Sequence, residues 1–346
     1  MATVVANYDG PYYIVAAKSL YDPKLIENVF PFPLEPIYYS AHYPLFPLLI
    51  RGLTLVIPPL GYPYAMMLVT LSTSILSVWM FYILLRSLGL SKNALWLASL
   101  FTFFPARWLI VHSIGSPEPL FILLTLAAIY FFRKEQWWYA GLAAAGAQAT
   151  KPPGMLLFIS LCLAILLSRW SKLATTRTLD WFKKLPWNAY PLALVPLTLI
   201  GIYILYGVKY GDFLAYFNSG DNIHLVFPPF QAFNPGQAWV GTFWLEEIVW
   251  IYLLVALGLV YLVKQKRIEL ATFVGVFLTS LLFVAHRDIA RYSLPIVPFL
   301  FVAYSKVLSS TEFKWILGVL IIPIYLFAIV FIANNVTPIA DWGPLL

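Results

Sequence analysis

The 346-residue chain is 61% hydrophobic and only 11% charged, whereas soluble domains average about 45–50% and about 25%. A soluble domain of this size could not bury so much apolar surface, so the composition predicts an all-α polytopic membrane protein. The net charge of +7 does not indicate nucleic-acid binding, because the basic residues lie between apolar runs, and the single cysteine, Cys162, excludes an intrachain disulfide.

Residues 1–63 form the first predicted region, a Pro- and Tyr-rich exoplasmic loop of a kind that usually carries function. We expect the exoplasmic loops to carry short interfacial helices. In its motif ANYDGPYY, Asp9 stands beside Gly10 at the predicted membrane boundary, among tyrosines that include Tyr12. A carboxylate there can act as a general base, and the alternative is an aspartate that caps a helix. Tyr12 is a candidate substrate contact.

A second motif of this loop, AHYPLFPLLIR, places His42 and Tyr43 before a proline-interrupted apolar stretch. That stretch resembles a partial helix rather than a membrane span, because it is short and broken by prolines. Both residues are candidate substrate contacts, although a lone histidine is more often structural.

Ten apolar runs follow the loop. They predict one membrane-embedded domain with six spans in 64–208, a long exoplasmic loop in 209–247, four spans in 248–333 and an exoplasmic tail in 334–346. The longest runs can cross about 30 Å of hydrocarbon. The shorter ones are either extended by interfacial residues or form short and broken helices that enclose a cavity. The runs are 64–85, 94–111, 119–132, 137–150, 154–168, 190–208, 248–263, 269–285, 292–304 and 315–333.

Lysine and arginine assign the sides of the membrane. Fourteen of the 22 basic residues fall in alternate gaps, which are therefore cytosolic, and 11 of the 15 acidic residues fall in the other gaps, which are exoplasmic. A basic and aromatic stretch at 181–187 predicts a helix on the cytosolic surface. Because ten spans leave both termini outside, we expect a first helix to be missing before Met1, and its restoration would give eleven spans.

Two exoplasmic turns hold further ionisable residues. Glu118, in HSIGSPEPLF, begins a span, where an acid either suits the helix dipole or faces the same cavity as Asp9, with His112 as its neighbour. Lys151, in ATKPPG, lies between two short apolar runs and thus below the outer membrane surface. It is either a functional group or a lysine that extends to the lipid headgroups.

The motif AHRDIARYSLP concentrates charge on the otherwise base-poor side. Arg287 and Arg291 are four residues apart, so a helix would bring both guanidiniums to one face as a bidentate phosphate receptor. The alternatives are contact with lipid headgroups and internal pairing with Asp288. His286 is a further candidate substrate contact.

The chain contains no GxGxxG, P-loop, CxxC, HExxH or nucleophile-elbow motif. One cysteine and four histidines argue against a thiolate or histidine metal cage. The sequence therefore predicts no cofactor, and leaves open an oxygen-ligated divalent ion between Asp9 and Glu118.

Six stretches carry a resemblance across nearly the whole chain: NYDGPYYIVAAKSLYD, HYPLFPLLIR, SPEPLF, AGLAAAGAQATKPPGMLL, YGDFLAYF and RYSLPIVPF. In this order they resemble the GT-C membrane glycosyltransferases, in particular the PIG-V-like branch named for GPI mannosyltransferase II and its bacterial relatives. The resemblance implies inverting transfer of a hexose, with mannose favoured, from a polyprenyl-phosphate donor. The implied acceptor is a lipid-linked or cell-envelope glycan at the exoplasmic face.

The resemblance also implies roles for single residues. Asp9 matches the first-loop catalytic acid, and Glu118 matches the acid of S-x-E-S-L-F, with Pro119 in place of the serine. Lys151 takes the place of the basic residue before P-x-G, and Arg291 matches the arginine of R-Y-x-x-P. We therefore expect Arg291, Arg287 and Lys151 to bind the donor phosphate. The implied partners are the donor, the glycan acceptor and membrane lipids.

Two further classes of function stay open. A transporter or flippase of a lipid-linked saccharide would carry inverted repeats and midplane charges on discontinuous helices. An O-antigen-ligase-like enzyme or a non-catalytic assembly subunit is the other alternative.

Overall fold

The computed structural model describes residues 1–30, 32–174, 187–220, 225–240 and 245–346, with side chains to residue 168 and again from 187. The predicted surface helix at 181–187 lies outside the described residues except for Trp187. The described residues are helical and contain no strand, only two isolated bridges, Asn7 with Val336 and Leu225 with Val284. The prediction of an all-α protein is confirmed for this part of the chain.

The helices are labelled in chain order. They are α1 (Ala2–Val5), α2 (Gly10–Ser19), α3 (Pro23–Val29), α4 (Leu45–Val56), α5 (Gly61–Ser87), α6 (Ser91–Leu100), α7 (Ala106–Val111), α8 (Glu118–Arg133), α9 (Trp137–Thr150), α10 (Gly154–Ala174), α11 (Leu194–Tyr210), α12 (Ala215–Asn218), α13 (Leu245–Lys264), α14 (Ile268–Phe283), α15 (Ile289–Tyr292), α16 (Val297–Ala303), α17 (Ser305–Leu308) and α18 (Thr311–Asn334).

Four helical segments of the described chain are long and apolar enough to cross a membrane. They are Pro58–Ser87, Trp187–Tyr210, Leu245–Lys264 and Thr311–Asn334. Along α18, Trp315, Val319 and Ile322 are 77%, 72% and 64% exposed. An apolar surface of this kind is consistent with lipid contact. The count of ten spans stays a prediction.

Two of the predicted spans are broken helices. The run at 94–111 forms α6 and α7, separated at Pro105, and the run at 292–304 is interrupted by a 3-10 turn at Leu294–Ile296. Proline lacks a backbone donor and disfavours helix in the preceding residue, which explains both interruptions. The short run at 292–304 therefore follows the alternative of broken helices, the longer run at 94–111 is broken as well, and the short runs at 119–132 and 137–150 form continuous helices.

The N-terminal region folds into the short helices α1 to α4, as expected for an exoplasmic loop that carries short helices. The 12-residue α4 confirms the partial helix predicted after His42. At the α1–α2 junction, a Cβ on Gly10 would lie 2.2 Å from the carbonyl oxygen of Val5, so only glycine permits this close approach. The junction therefore turns sharply at Asn7, Tyr8 and Asp9.

The C-terminal tail packs against this junction. The backbone N–H of Thr337 donates to the carbonyl of Ala6 at 2.8 Å, and Asn7 Nδ2 donates to the carbonyl of Ile332 at 2.7 Å. Asn335 Nδ2 donates in turn to Asn7 Oδ1 at 3.2 Å. Asn7 is fully buried, so the end of the chain fixes the backbone that carries Asp9.

Candidate functional site

A cavity of about 620 Å³ opens where the α1–α2 junction meets the α9–α10 turn, the start of α13 and the link between α14 and α15. Its walls carry both signs of charge. The ionisable side chains that line it are Asp9, His42, Arg107, Lys151, Glu247, His286, Arg287, Asp288 and Arg291. Residues far apart in the sequence therefore meet at one candidate site.

Asp9 presents its carboxylate to the cavity. It is the N-cap residue of α2, yet its side chain accepts no capping hydrogen bond, so the alternative of a helix-capping aspartate does not describe it. The side chain is 33% exposed and its Oδ2 lies 3.6 Å from Arg291 Nη2. A reachable carboxylate held beside a cation is suited to accept a proton from a ligand.

Glu118 and Lys151 join Arg291 in a buried network behind Asp9. Glu118 Oε1 accepts hydrogen bonds from Lys151 Nζ at 2.7 Å and from Arg291 Nε at 2.8 Å. Glu118 is only 3% exposed and does not line the cavity. Its charge is matched by two cations, so its geometry suits positioning of those cations better than direct contact with a ligand.

Lys151 lies at the end of α9, where the prolines of ATKPPG separate α9 from α10. It extends inward to Glu118, so the alternative of a lysine that reaches the lipid headgroups does not describe it. Its side chain keeps 19% exposure and lines the cavity. An inward lysine at this depth is a functional candidate because burying it requires compensating charge.

The predicted helical pairing of Arg287 with Arg291 is wrong. Helix α15 begins at Ile289, because the side chain of Asp288 accepts from the N–H of Arg291 and caps the helix. Arg287 precedes the helix and is exposed, whereas Arg291 is 9% exposed and lies with its Cζ 4.1 Å from the centroid of the Tyr8 ring. Both guanidiniums nevertheless line the same cavity.

Asp288 pairs with Arg107, a residue that the sequence analysis did not select. Arg107 Nη2 lies 3.2 Å from Asp288 Oδ1, and Arg107 Nη1 donates to the Tyr8 hydroxyl at 2.9 Å. Tyr8 donates to Asp288 Oδ2 at 3.3 Å, and burial raises the pKa of Tyr8 well above its ordinary value. Arg107 follows the break at Pro105. It could have been selected from the sequence because it is a charged residue inside an apolar run.

Aromatic rings form one wall of the site. His42 is buried, lines the cavity and packs edge-to-face on Tyr13 with ring centroids 4.8 Å apart. Tyr12 lies one layer behind it, with centroids 5.8 Å from His42. Tyr43 is buried against Tyr206 and Tyr216 and does not line the cavity, so it supports the wall from behind.

The two remaining predicted histidines have different surroundings. His112 Nε2 lies 2.7 Å from the carbonyl of Thr102 and its ring packs on Trp108, so it does not neighbour Glu118 or line the cavity. His286 lines the cavity, and its Nδ1 accepts from the backbone N–H of Asp288 at 2.9 Å. Burial lowers the pKa of His286, which favours the neutral ring that this hydrogen bond requires.

The guanidinium of Arg291 lies between Asp9 and Glu118, the two acids that could have shared a divalent ion. Arg291 contacts both Asp9 and Glu118, so the two carboxylates share a cation that the chain itself supplies. Among the described residues, no group of three or more His, Cys, Asp or Glu side chains is arranged to hold a metal ion.

A second, larger cavity of about 1230 Å³ adjoins the first. The two share lining residues, which are Arg107, Glu247, Ile251, Ala290 and Phe327. The larger cavity is a mostly apolar groove between α13, α16 and α18, and its far end reaches Lys264 and Lys306. A charged chamber therefore continues into an apolar groove.

No protein-family model matches this chain, and no curated protein matches it.

The tail contacts lead to a prediction about Asn7. Replacing the buried Asn7 by alanine removes the hydrogen-bond partner of the Ile332 carbonyl and of the Asn335 side-chain amide. We expect this to lower the free energy of unfolding by about 1–3 kcal/mol. Denaturant titration of the detergent-solubilised protein measures it. Asn334→Ala is the control, because Asn334 is exposed and bonds only within its own helix, and an equal loss in both variants would contradict the role given to the tail.

Proposed function

We propose that the protein is an inverting glycosyltransferase that moves a hexose from a polyprenyl-phosphate donor to a glycan or lipid-linked acceptor at the exoplasmic face. The observation that carries the proposal is the continuity of the two cavities. One chamber holds a reachable carboxylate among cations, and the groove that joins it is apolar. A polyprenyl phosphate also combines a charged head with a long apolar tail. Its head would therefore suit the charged chamber, and its tail would suit the apolar groove.

The chemistry follows from the positions of the charges. The acceptor hydroxyl oxygen attacks the anomeric carbon of the donor while its proton passes to the carboxylate of Asp9. The bond from that carbon to the phosphate oxygen breaks, and the polyprenyl phosphate leaves with the bonding electrons. A single displacement from the side opposite the phosphate inverts the anomeric configuration.

Cations of the cavity would stabilise the negative charge that grows on the phosphate. Arg287 is the best placed for direct contact, because it is exposed to the cavity and forms no ion pair with the described residues. Lys151 and Arg107 are already paired with Glu118 and Asp288. They would add to the positive potential around the phosphate, which stabilises the negative charge that develops there.

Mutation of Arg287 gives a direct test of the donor site. Arg287→Ala should raise the donor KM about tenfold and leave the acceptor KM nearly unchanged, because an exposed charge-assisted contact contributes about 1–2 kcal/mol. Initial rates at varied donor and acceptor concentration measure both constants. The control is Arg86→Ala, an exposed arginine in the last turn of α5, a helix that contributes no described residue to the cavity. An increase confined to the acceptor KM would contradict the assignment.

Product analysis tests the function itself. Membranes that contain the protein are supplied with polyprenyl-phosphate sugars or, separately, with the corresponding nucleotide sugars, and products are identified by mass spectrometry. We expect sugar transfer from the polyprenyl-phosphate donors alone. Transfer from nucleotide sugars with the polyprenyl donors inactive would contradict the proposal.

Transport of a lipid-linked saccharide is the second candidate, favoured by one observation. The groove runs from Arg107 and Glu247 to Lys264 and Lys306 along the length of α13, so it offers a headgroup charged contacts at both ends. A flippase would move labelled lipid-linked sugar between leaflets of a reconstituted vesicle without forming a new glycosidic bond. Asp9→Asn should leave such movement intact.

A further inference from the structure

The basic residues outside the predicted cytosolic gaps divide into two clusters. Fourteen of the 22 lie in those gaps, and eight remain. Four of the eight, Arg107, Lys151, Arg287 and Arg291, line the candidate site. The other four, Lys18, Lys24, Arg51 and Lys209, line a separate pocket of about 500 Å³, and the described part of the chain places one acid there, Asp22. The assignment of loops to the two sides of the membrane does not explain why these four residues line the same pocket.

This second cluster, the α2-end pocket, lies at the opposite end of α2 from Asp9. Helix α2 runs from Gly10 to Ser19, so the two sites are about 15 Å apart along its axis. Its cations come from α2, α3, α4 and α11, four elements distributed over nearly 200 residues of chain. The pocket is thus assembled by the fold and is distinct from the cavity that holds Asp9.

Two of the four cations have structural partners. Arg51 Nη1 donates to the carbonyls of Ala17 and Lys18 at 3.0 and 2.9 Å, which suits a cation at a helix C-terminus. Lys18 Nζ donates to the carbonyl of Pro344 at 2.7 Å. These contacts explain why the two side chains are held in place, and their partners are neutral carbonyls that leave the positive charge uncompensated.

No contact of this kind explains why Lys24 and Lys209 lie at the pocket. Neither side chain forms an ion pair or hydrogen bond with the described residues, although both line the pocket. Like charges brought together on one surface repel unless an anion occupies the space between them. Counting the residues that the structure describes, the pocket therefore carries three more positive charges than Asp22 balances.

The surface beside the pocket identifies the kind of anion. Helix α4, which carries Arg51, exposes Leu48, Leu55 and Val56 at 49%, 69% and 79%. An anion bound at Arg51 would have an apolar helix face next to it. Positive charge beside an exposed apolar helix face is the arrangement of helices that lie in a membrane interface on anionic lipid.

We propose that the α2-end pocket binds the phosphate headgroup of an anionic lipid, whose chains lie along the exposed face of α4. The lipid is a ligand separate from any sugar donor, and its site does not depend on the proposed glycosyl transfer. Lys24 and Lys209 supply the contacts that the protein itself leaves open, and Arg51 supplies a fixed guanidinium.

Lipid binding to the purified full chain in detergent tests the proposal. Native mass spectrometry compares phosphatidylglycerol with phosphatidylcholine of the same acyl chains. We expect the unchanged protein to prefer phosphatidylglycerol by about tenfold, as two or three partly exposed charge contacts would give. The double variant Lys24→Ala with Lys209→Ala should lose this preference. Both side chains lack partners in the described structure, so the variant should keep its fold.

A charge-matched control removes two other exposed lysines, Lys92 and Lys134, which lie in predicted cytosolic gaps. This variant should keep the preference for phosphatidylglycerol. The proposal is overturned if the Lys24 and Lys209 variant retains the preference, or if the control loses it equally. It is also overturned if inorganic phosphate displaces phosphatidylglycerol at equal concentration, since the ligand would then be soluble phosphate and not a lipid.

Discussion

Asp9→Asn is expected to lower kcat for sugar transfer by about a hundred- to ten-thousandfold, the usual contribution of a general base. Asparagine has nearly the same shape as aspartate but cannot take the proton of the acceptor hydroxyl. The donor KM should change little, because the phosphate contact assigned to Arg287 and the positive potential from Lys151 and Arg107 stay in place. Single-turnover transfer with a polyprenyl-phosphate sugar measures the chemical step directly.

This variant should fold normally, which makes its kinetics interpretable. The Asp9 side chain does not cap α2, and its contact with Arg291 is 3.6 Å long and partly exposed. The control is Glu27→Gln, which removes a carboxylate from an exposed position on α3. Transfer at the unchanged rate by Asp9→Asn would show that the base is another group.

The long helices and the main charged turns could be predicted from the sequence because each depends on local patterns. The run predicted at 137–150 coincides with α9, and that at 315–333 lies within α18. Apolar length and flanking polar residues determine such helices. Asp9 could be selected because it lies at a predicted membrane boundary, and Lys151, Arg287 and Arg291 because they lie in turns on the otherwise base-poor side.

The pairing of those residues could not be predicted, because it depends on contacts between distant elements. Arg291 and Glu118 are 173 residues apart, and nothing local distinguishes that pair from Arg291 with Asp288. Asp288 caps α15 and binds Arg107 instead, which also moves Arg287 off the helix. Arg107 lies in a run that the sequence predicts as one membrane span. In the structure this run is broken at Pro105.

The same limit applies to His112 and Tyr43. His112 precedes Glu118 by six residues, yet the chain turns between them at Gly115 and Ser116, and the ring packs instead on Trp108. Tyr43 adjoins His42, but neighbouring residues point in different directions, and only His42 reaches the cavity. Sequence proximity therefore identified the region of the site and not the side chains that face it.

Of the stability variants proposed, Glu118→Ala should lower the free energy of unfolding the most. It removes the carboxylate that accepts from both Lys151 and Arg291. The buried Arg291 then keeps, among the described residues, one ion pair, the 3.6 Å contact to Asp9, and its contact with the Tyr8 ring. Removing one member of a buried ion pair typically costs about 3–5 kcal/mol, because the remaining charge is desolvated without compensation. Denaturant titration of the solubilised protein measures the loss, and Glu312→Ala, at an exposed acid without an ion pair among the described residues, should change stability by less than about 0.5 kcal/mol.

A double-mutant cycle separates the charge network from simple loss of packing. The variants are Glu118→Leu, Arg291→Leu and the two combined. If the two side chains stabilise each other through charge, the double variant should be more stable than the sum of the single losses predicts, with a coupling energy of about 1–3 kcal/mol. Strict additivity would mean that the network does not hold Arg291 in place. That outcome would contradict the role given to Glu118, which is to position the cations around Asp9.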